Sequence, residues 1–317
     1  MNNIQYDIKS QKMKISKRVV LVLVVLFTVL SVKAQQDPQY TQYMYNTMSI
    51  NPAYAGSRGH FSMSAIARTQ WVGIDGAPDT QTFSVSAPIG YSGIGLGLNI
   101  VNDELGPSTE TSVDANISYS IYTSREGQLS FGLRLGARTL SLDWSKGTFQ
   151  NSDPTFNDNI NNKFLPTVGA GLYFHAPKWY VGLSVPNFLR TEHYDDLVES
   201  VSAESLHYFA IAGYVFDLTD NIKFKPAILS KIVLGAPLSV DVSANFLFNE
   251  NFSLGVAYRL DDSISAILGF EVTESLSLGY AYDLTTSNYN NYNSGSHEVM
   301  LTFNIFQKAR LKSPRFF

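Results

Sequence analysis

Five histidines, His60, His175, His193, His207 and His297, are the side chains best suited to proton transfer or metal binding, and the chain has no cysteine to add a thiolate. None of the five forms a HExxH motif or a short HxH pair, so their spacing predicts no metal site. A Ser–His–acid set requires three side chains converging on one point. The best group here is His297 with Glu298 and Ser294 or Ser296. Adjacent residues of a strand point to opposite faces, which pulls that group apart. No G-x-S-x-G elbow occurs. The Gly93-x-Gly95-x-Gly97 run lacks the strand–turn–helix setting that a phosphate-binding loop needs. These residues predict no catalysis, no metal and no cofactor.

The remaining candidates are charges in otherwise apolar stretches. Asp114 is expected near Arg134 or Arg138, and Arg68 near Glu298. The alternative is that each charge finds water or another partner. Either pairing requires that the flanking segments be neighbouring strands with these charges on one common, enclosed face, because an interior charge is costly unless it is paired.

Period-two alternation supplies such strands. In Ser112 to Ile121, Val113, Ala115, Ile117, Tyr119 and Ile121 fall on one face, and Ser112, Asp114, Asn116, Ser118 and Ser120 on the other. The same split recurs at Phe131, Leu133 and Leu135, at Leu276, Leu278, Tyr280 and Tyr282, and at Val299, Leu301, Phe303 and Ile305. About fourteen such runs of roughly ten residues are found, the length a tilted strand needs to cross a bilayer. Boundaries fall near 60–71, 79–88, 92–102, 109–122, 128–140, 164–175, 178–189, 204–218, 221–234, 237–248, 251–260, 263–271, 274–284 and 295–306.

Alternation alone also fits a soluble sandwich, so the connections decide. Every second one is a short turn, such as Ala176-Pro177, Thr219-Asp220 or Asn249-Glu250. The long ones, 141–163, 190–203 and 285–294, all belong to the other set. That parity predicts an all-β outer-membrane barrel with long loops outside and both termini in the periplasm. Glycines on the polar face, among them Gly95, Gly97, Gly132, Gly136, Gly169 and Gly171, predict a lumen with room inside. Trp71, Trp144 and Trp179 fall at or just beyond strand ends, as an aromatic girdle would.

The N-terminus reads as a targeting segment. Lys14, Lys17 and Arg18 precede an apolar run from Val19 to Leu30, and Val32-Lys33-Ala34 offers small residues for cleavage. The run is short for a spanning helix, although a retained anchor is the alternative. Met13 is a second candidate start. Removing residues 1–34 takes away six basic residues and one acidic residue, which moves the formal charge from −4 to −9. Such a balance disfavours nucleic acid as a partner. The expected organisation is a signal peptide at 1–34, a lumen or periplasmic segment at 35–59, the barrel at 60–306 and a periplasmic tail at 307–317. Within 35–59, Tyr40, Tyr43, Met44 and Thr47 recur at helical spacing, ended by Asn51-Pro52. The segment is expected to enter the lumen or seal its periplasmic mouth, with a loose periplasmic tail as the alternative.

Several motifs resemble one family. Gln36-Asp37-Pro38-Gln39-Tyr40-Thr41-Gln42-Tyr43-Met44-Tyr45-Asn46, followed by Asn51-Pro52-Ala53-Tyr54-Ala55-Gly56, closely resembles the opening of PorP/SprF-type membrane proteins. So do Arg68-Thr69-Gln70-Trp71, Gly76-Ala77-Pro78, Gly235-Ala236-Pro237 with Asp241, Tyr258-Arg259 and Gly295-Ser296-His297-Glu298, in the same order along the chain. The resemblance implies a non-enzymatic outer-membrane accessory of the type IX secretion system of Bacteroidota, often tied to gliding motility. It implies partners as well: outer-membrane lipid, other secretion components, and a large adhesin-like cargo with a C-terminal sorting domain. Apart from the resemblance, loops 141–163 and 190–203 are the expected cargo contacts, with plain solvation of Asn151, Asp153, Thr155, Asn157, Asp158 and Asn159 as the favoured alternative for the first. A passive channel or hydrophobic-solute transporter is the alternative function.

Overall fold

The computed structural model describes residues 38–147, 159–189, 206–233 and 236–305. Its strands are β1 (Phe61–Thr69), β2 (Asp79–Pro88), β3 (Ile94–Leu105), β4 (Ser108–Tyr122), β5 (Gln128–Leu142), β6 (Ile160–His175), β7 (Trp179–Val185), β8 (His207–Tyr214), β9 (Phe216–Thr219), β10 (Ile222–Val233), β11 (Ser239–Phe248), β12 (Phe252–Arg259), β13 (Ser263–Glu271), β14 (Leu276–Thr285) and β15 (Ser296–Ile305). Each pairs antiparallel with its chain neighbour, save that β8 and β9 both pair with β10, and β15 pairs with β1 from Ile305↔Phe61 to His297↔Thr69. The sheet therefore closes on itself and leaves no edge, which is how an all-β wall satisfies its backbone in lipid. Segments β8 and β9 both lie against β10 and are parts of one stave interrupted at Val215, so the wall has fourteen staves.

The polarity of the wall is inverted relative to a soluble protein. On β4, Asp114, Asn116 and Ser118 are buried while Val113, Ile117 and Tyr119 are exposed. On β5, Leu133 and Leu135 are 58% and 62% exposed, whereas Arg134 is buried between them. Apolar side chains facing outward around a closed barrel are stable only against lipid.

Strand height is uneven. Segments β11 to β15 have eight to ten residues, but β4, β5 and β6 have fifteen, fifteen and sixteen. The extra five or so residues add about 17 Å along the strand. Along this added height the polarity reverts. Thr111 Oγ1 donates to Asn102 at 2.8 Å on the outer side, and Asn102 donates to Gln81 at 3.0 Å. Leu140, Leu142 and Leu165 are buried on the inner side. The switch from Val113 and Leu135 to Thr111 and Thr139 marks where the lipid-facing belt stops at the loop-bearing end.

Several boundaries differ from expectation. Strands β5 and β6 extend to Leu142 and back to Ile160, so the expected loop 141–163 is shorter, and β3 runs on to Leu105. Backbone pairing continues past the apolar belt, where alternation is no longer visible in the sequence. Segment β7 stops at Val185, before Pro186, which has no N–H to give the ladder. Residues 148–158 and 190–205, with most of the expected cargo loops, lie outside the described residues, as do the leader 1–34 and the tail 307–317.

Inside the barrel, the backbone of Pro52 and Ala53 lies directly against Gly132, and the Asn51 side chain lies against Gly171. A Cβ at either glycine would overlap these atoms. Gly132→Val is expected to lower barrel stability by about 1–3 kcal/mol through overpacking, while Leu133→Val on the lipid side shifts it little. Urea midpoints of the detergent-solubilised variants measure both.

Candidate functional site

The lumen-facing charges and the segment 38–60 form one continuous structure. Arg68 on β1 is 3.0 Å from Glu298 Oε2 on β15 and 2.8 Å from Asp283 Oδ2 on β14. Arg68 and Glu298 are direct partners across the pair that closes the barrel. Both are buried, Glu298 completely. Arg259 and the Ser265 hydroxyl of the wall also act on Asp283, and the lumen segment supplies further donors. The Thr41 and Gln42 backbone N–H groups donate to Glu298 at 2.9 and 2.8 Å. Thr41 Oγ1 donates to Asp283 and accepts from Arg68 Nη1 at 3.1 Å.

The expected pairing of Asp114 is looser. Arg134 Nη1 is 4.0 Å from Asp114 Oδ2, while its Nε donates to Asn116 and its Nη2 to the Met48 and Ser49 carbonyls of the segment. Asp114 accepts from Thr167 at 2.6 Å. Arg138 sits with Glu110, at 3.2 Å, and not with Asp114, because register places Asp114 opposite Gly136 and leaves Arg138 nearer the loop-bearing end. A second cluster joins Arg259 to Asp241 at 2.7 Å and to Asp262 at 3.1 Å, with Gln39 donating to Asp241 at 2.6 Å.

The motif residues of the segment each meet the wall or brace the segment itself. Tyr40 OH is 2.6 Å from Thr82 Oγ1, and Tyr43 is buried. Asn51 accepts from Ala53 N at 3.0 Å and donates to the Leu172 carbonyl of β6 at 3.0 Å. Pro52 opens a 3₁₀ turn, Pro52–Tyr54. Tyr54 meets Tyr173 edge-on at 5.3 Å. Gly56 N donates to Ser86 Oγ at 2.7 Å. Further contacts come from Ser118, donating to the Ala55 carbonyl, and Ser184 on β7, donating to the Ile50 carbonyl, each at 2.7 Å. Asp37 lies outside the described residues.

The helix expected over Tyr40 to Thr47 does not form. Residues 41–45 are turns, followed by a 3₁₀ turn at Thr47–Ser49. Thr41 and Gln42 direct their N–H groups at Glu298, and the segment exchanges helical bonds for bonds to the wall. Its direction also differs from a tail entering at the periplasmic mouth: Pro38 lies beside Asp103 and Glu110 at the loop-bearing end.

The histidines do not converge. His297 Nδ1 is 2.7 Å from Tyr280 OH while Glu298 next to it faces the lumen. His60 is 3.1 Å from Asn304 at the opposite end, and His193 lies outside the described residues. Trp71 stacks on Tyr289 beyond β1, Trp144 opens the 3₁₀ turn after β5, and Trp179 begins β7. Outside the lipid belt, hydrogen bonds from the Ser145 hydroxyl and backbone N–H hold the Asp143 carboxyl below its ordinary value. On the lipid side of the wall, opposite Pro52 and Ala53, lies an apolar hollow of about 840 Å³ floored by Gly132 and Gly171.

Comparison with known proteins adds identity to this geometry. A family model described as "Type IX secretion system membrane protein PorP/SprF" matches residues 32–303. Curated proteins give no match. Among solved structures, the Ralstonia pickettii toluene transporter TbuX is similar at 9% identity and a TM-score of 0.50, over 82% of this chain and 93% of that one. The CymD monoaromatic hydrocarbon channel is similar at 11% identity and a TM-score of 0.50, over 83% and 93%. At such identities the likeness establishes the fold: an outer-membrane β-barrel.

Removing Arg68 leaves two buried carboxylates facing each other. Arg68→Ala is expected to cost about 3–5 kcal/mol. The triple change Arg68→Met, Asp283→Asn and Glu298→Gln should recover most of that loss. Urea unfolding followed by gel mobility of the folded barrel reads both variants.

Proposed function

The chain belongs to the PorP/SprF family of type IX secretion system membrane proteins, and from that membership we propose that it is a non-enzymatic accessory that helps export a large secreted protein or attach it to the cell surface. The cargo is an adhesin-like protein with a C-terminal sorting domain, and other secretion components act beside it, in a gliding-motility setting. The family match over residues 32–303 carries this reading.

The lumen supports a binding role over a conducting one. Residues 38–58 are tied to β14 and β15 on one side and to β6 and β7 on the other, and we read them as a plug. The tall wall of β3 to β6 and the loops above it are the surfaces offered to the cargo. A second reading, a passive channel for hydrophobic solutes, draws on the two hydrocarbon-transporting barrels of similar fold.

Affinity capture of the tagged protein from outer membranes is expected to recover a large secreted protein, and capture of none would overturn the accessory role. In planar bilayers the intact protein should give no steady conductance, and deletion of 35–58 should open one. A steady open pore in the intact protein favours the channel. No change on deletion counts against the plug.

A further inference from the structure

The lumen segment runs opposite to a tail that hangs from β1. Pro38 borders a cavity of about 80 Å³ that Asp103, Glu110 and Arg138 also line. Gln39 donates to Asp241 at 2.6 Å. These partners lie within a few residues of Leu105, Ser108, Leu142 and Ser239, which are the loop-bearing ends of β3, β4, β5 and β11. Eighteen residues later the segment is at the other end. Gly56 N meets Ser86 Oγ near the end of β2 at Pro88, and His60 meets Asn304 beside the end of β15 at Ile305. Between these points the contacts descend in order, from Thr41 at Glu298 and Asp283, through Ser49 at Arg134, to Ala55 at Ser118. A terminus held in the periplasm would place the lowest residue numbers nearest Phe61, and the reverse is found.

We infer that the chain preceding Pro38 is presented at the loop-bearing mouth, so that the processed N-terminus lies on the same side of the membrane as the 288–293 loop and opposite the short turns. With a leader removed after Ala34, only residues 35–37 separate the new terminus from Pro38. Three residues reach at most about 10 Å, whereas the hydrocarbon layer is about 30 Å thick. The terminus cannot return to the turn-bearing side. The assignment of that mouth to the cell surface rests on the barrel orientation used above; the pairing of the terminus with the loops does not.

The chain has no cysteine, so single-cysteine variants report sidedness directly. Q36C, Y292C in the 288–293 loop and D220C in the turn between β9 and β10 are treated with a membrane-impermeant maleimide on intact cells and after outer-membrane permeabilisation. Q36C is expected to follow Y292C and react on intact cells, with D220C reacting only after permeabilisation. Q36C following D220C overturns the inference. If Y292C and D220C exchange behaviour, the barrel orientation fails, and Q36C still tracking Y292C upholds the inference. Should Q36C react in neither state, a short epitope between Gln35 and Gln36 replaces it. Antibody binding on the Y292C side supports the inference. Binding only on the other side, or none in a barrel with folded mobility, overturns it.

Discussion

The interior of this barrel depends on one buried ion cluster. Arg68 cannot neutralise both Asp283 and Glu298 alone, and neither carboxylate has access to water. Backbone N–H groups of Thr41 and Gln42 serve Glu298, and the Thr41 hydroxyl, Ser265 and the nearby Arg259 serve Asp283, charged acceptors that bind such donors strongly. The segment and the wall therefore complete each other's hydrogen bonding at this cluster. Arg68 and Glu298 are also register partners in the seam between the last strand and the first, so the segment and the seam share one set of buried polar partners.

Around that cluster the barrel resolves two solvents. Outward side chains are apolar along a belt and polar above it, while inward positions mix polar and charged groups with buried apolar side chains such as Ile66, Tyr173 and Leu229. The same strands, β4 and β5, change allegiance between Val113 and Thr111 and between Leu135 and Thr139. A strand can do this because its two faces are independent at each residue pair. The belt defines where lipid ends without reference to any loop, and leaves β3 to β6 standing above it as a wall of soluble-protein character.

Much of this was legible from residue order. The alternation at Ser112 to Ile121 fixes which side of β4 meets lipid, and loop parity fixes that the sheet has two unlike ends. The Arg68–Glu298 juxtaposition follows from counting back from the two chain-terminal strands, given that they meet. Arg138 was harder to place. Asp114 lies between two arginines four residues apart, and only the actual register, with Asp114 opposite Gly136, sends Arg138 to Glu110. The path of residues 38–58 was not legible. Tyr40, Tyr43 and Met44 have helical spacing without a helix: Tyr40 meets Thr82 of the wall, Tyr43 and Met44 join the buried core, and Thr47 bonds back to the Tyr43 carbonyl. Gly132 and Gly171 were visible as signs of close approach, but nothing in their own strands names Pro52 or Asn51 as the neighbour.

The segment also has a mechanical consequence. Its bonds to Glu298 and Asp283 on one side and to Leu172 and Ser184 on the other fall on staves half the circumference apart. A hollow cylinder pulled sideways at its rim flattens into an oval, and its interstrand bonds peel from the point of load. A tie across the diameter converts that flattening into tension shared by both walls. A barrel tied in this way resists flattening when it is loaded from the side.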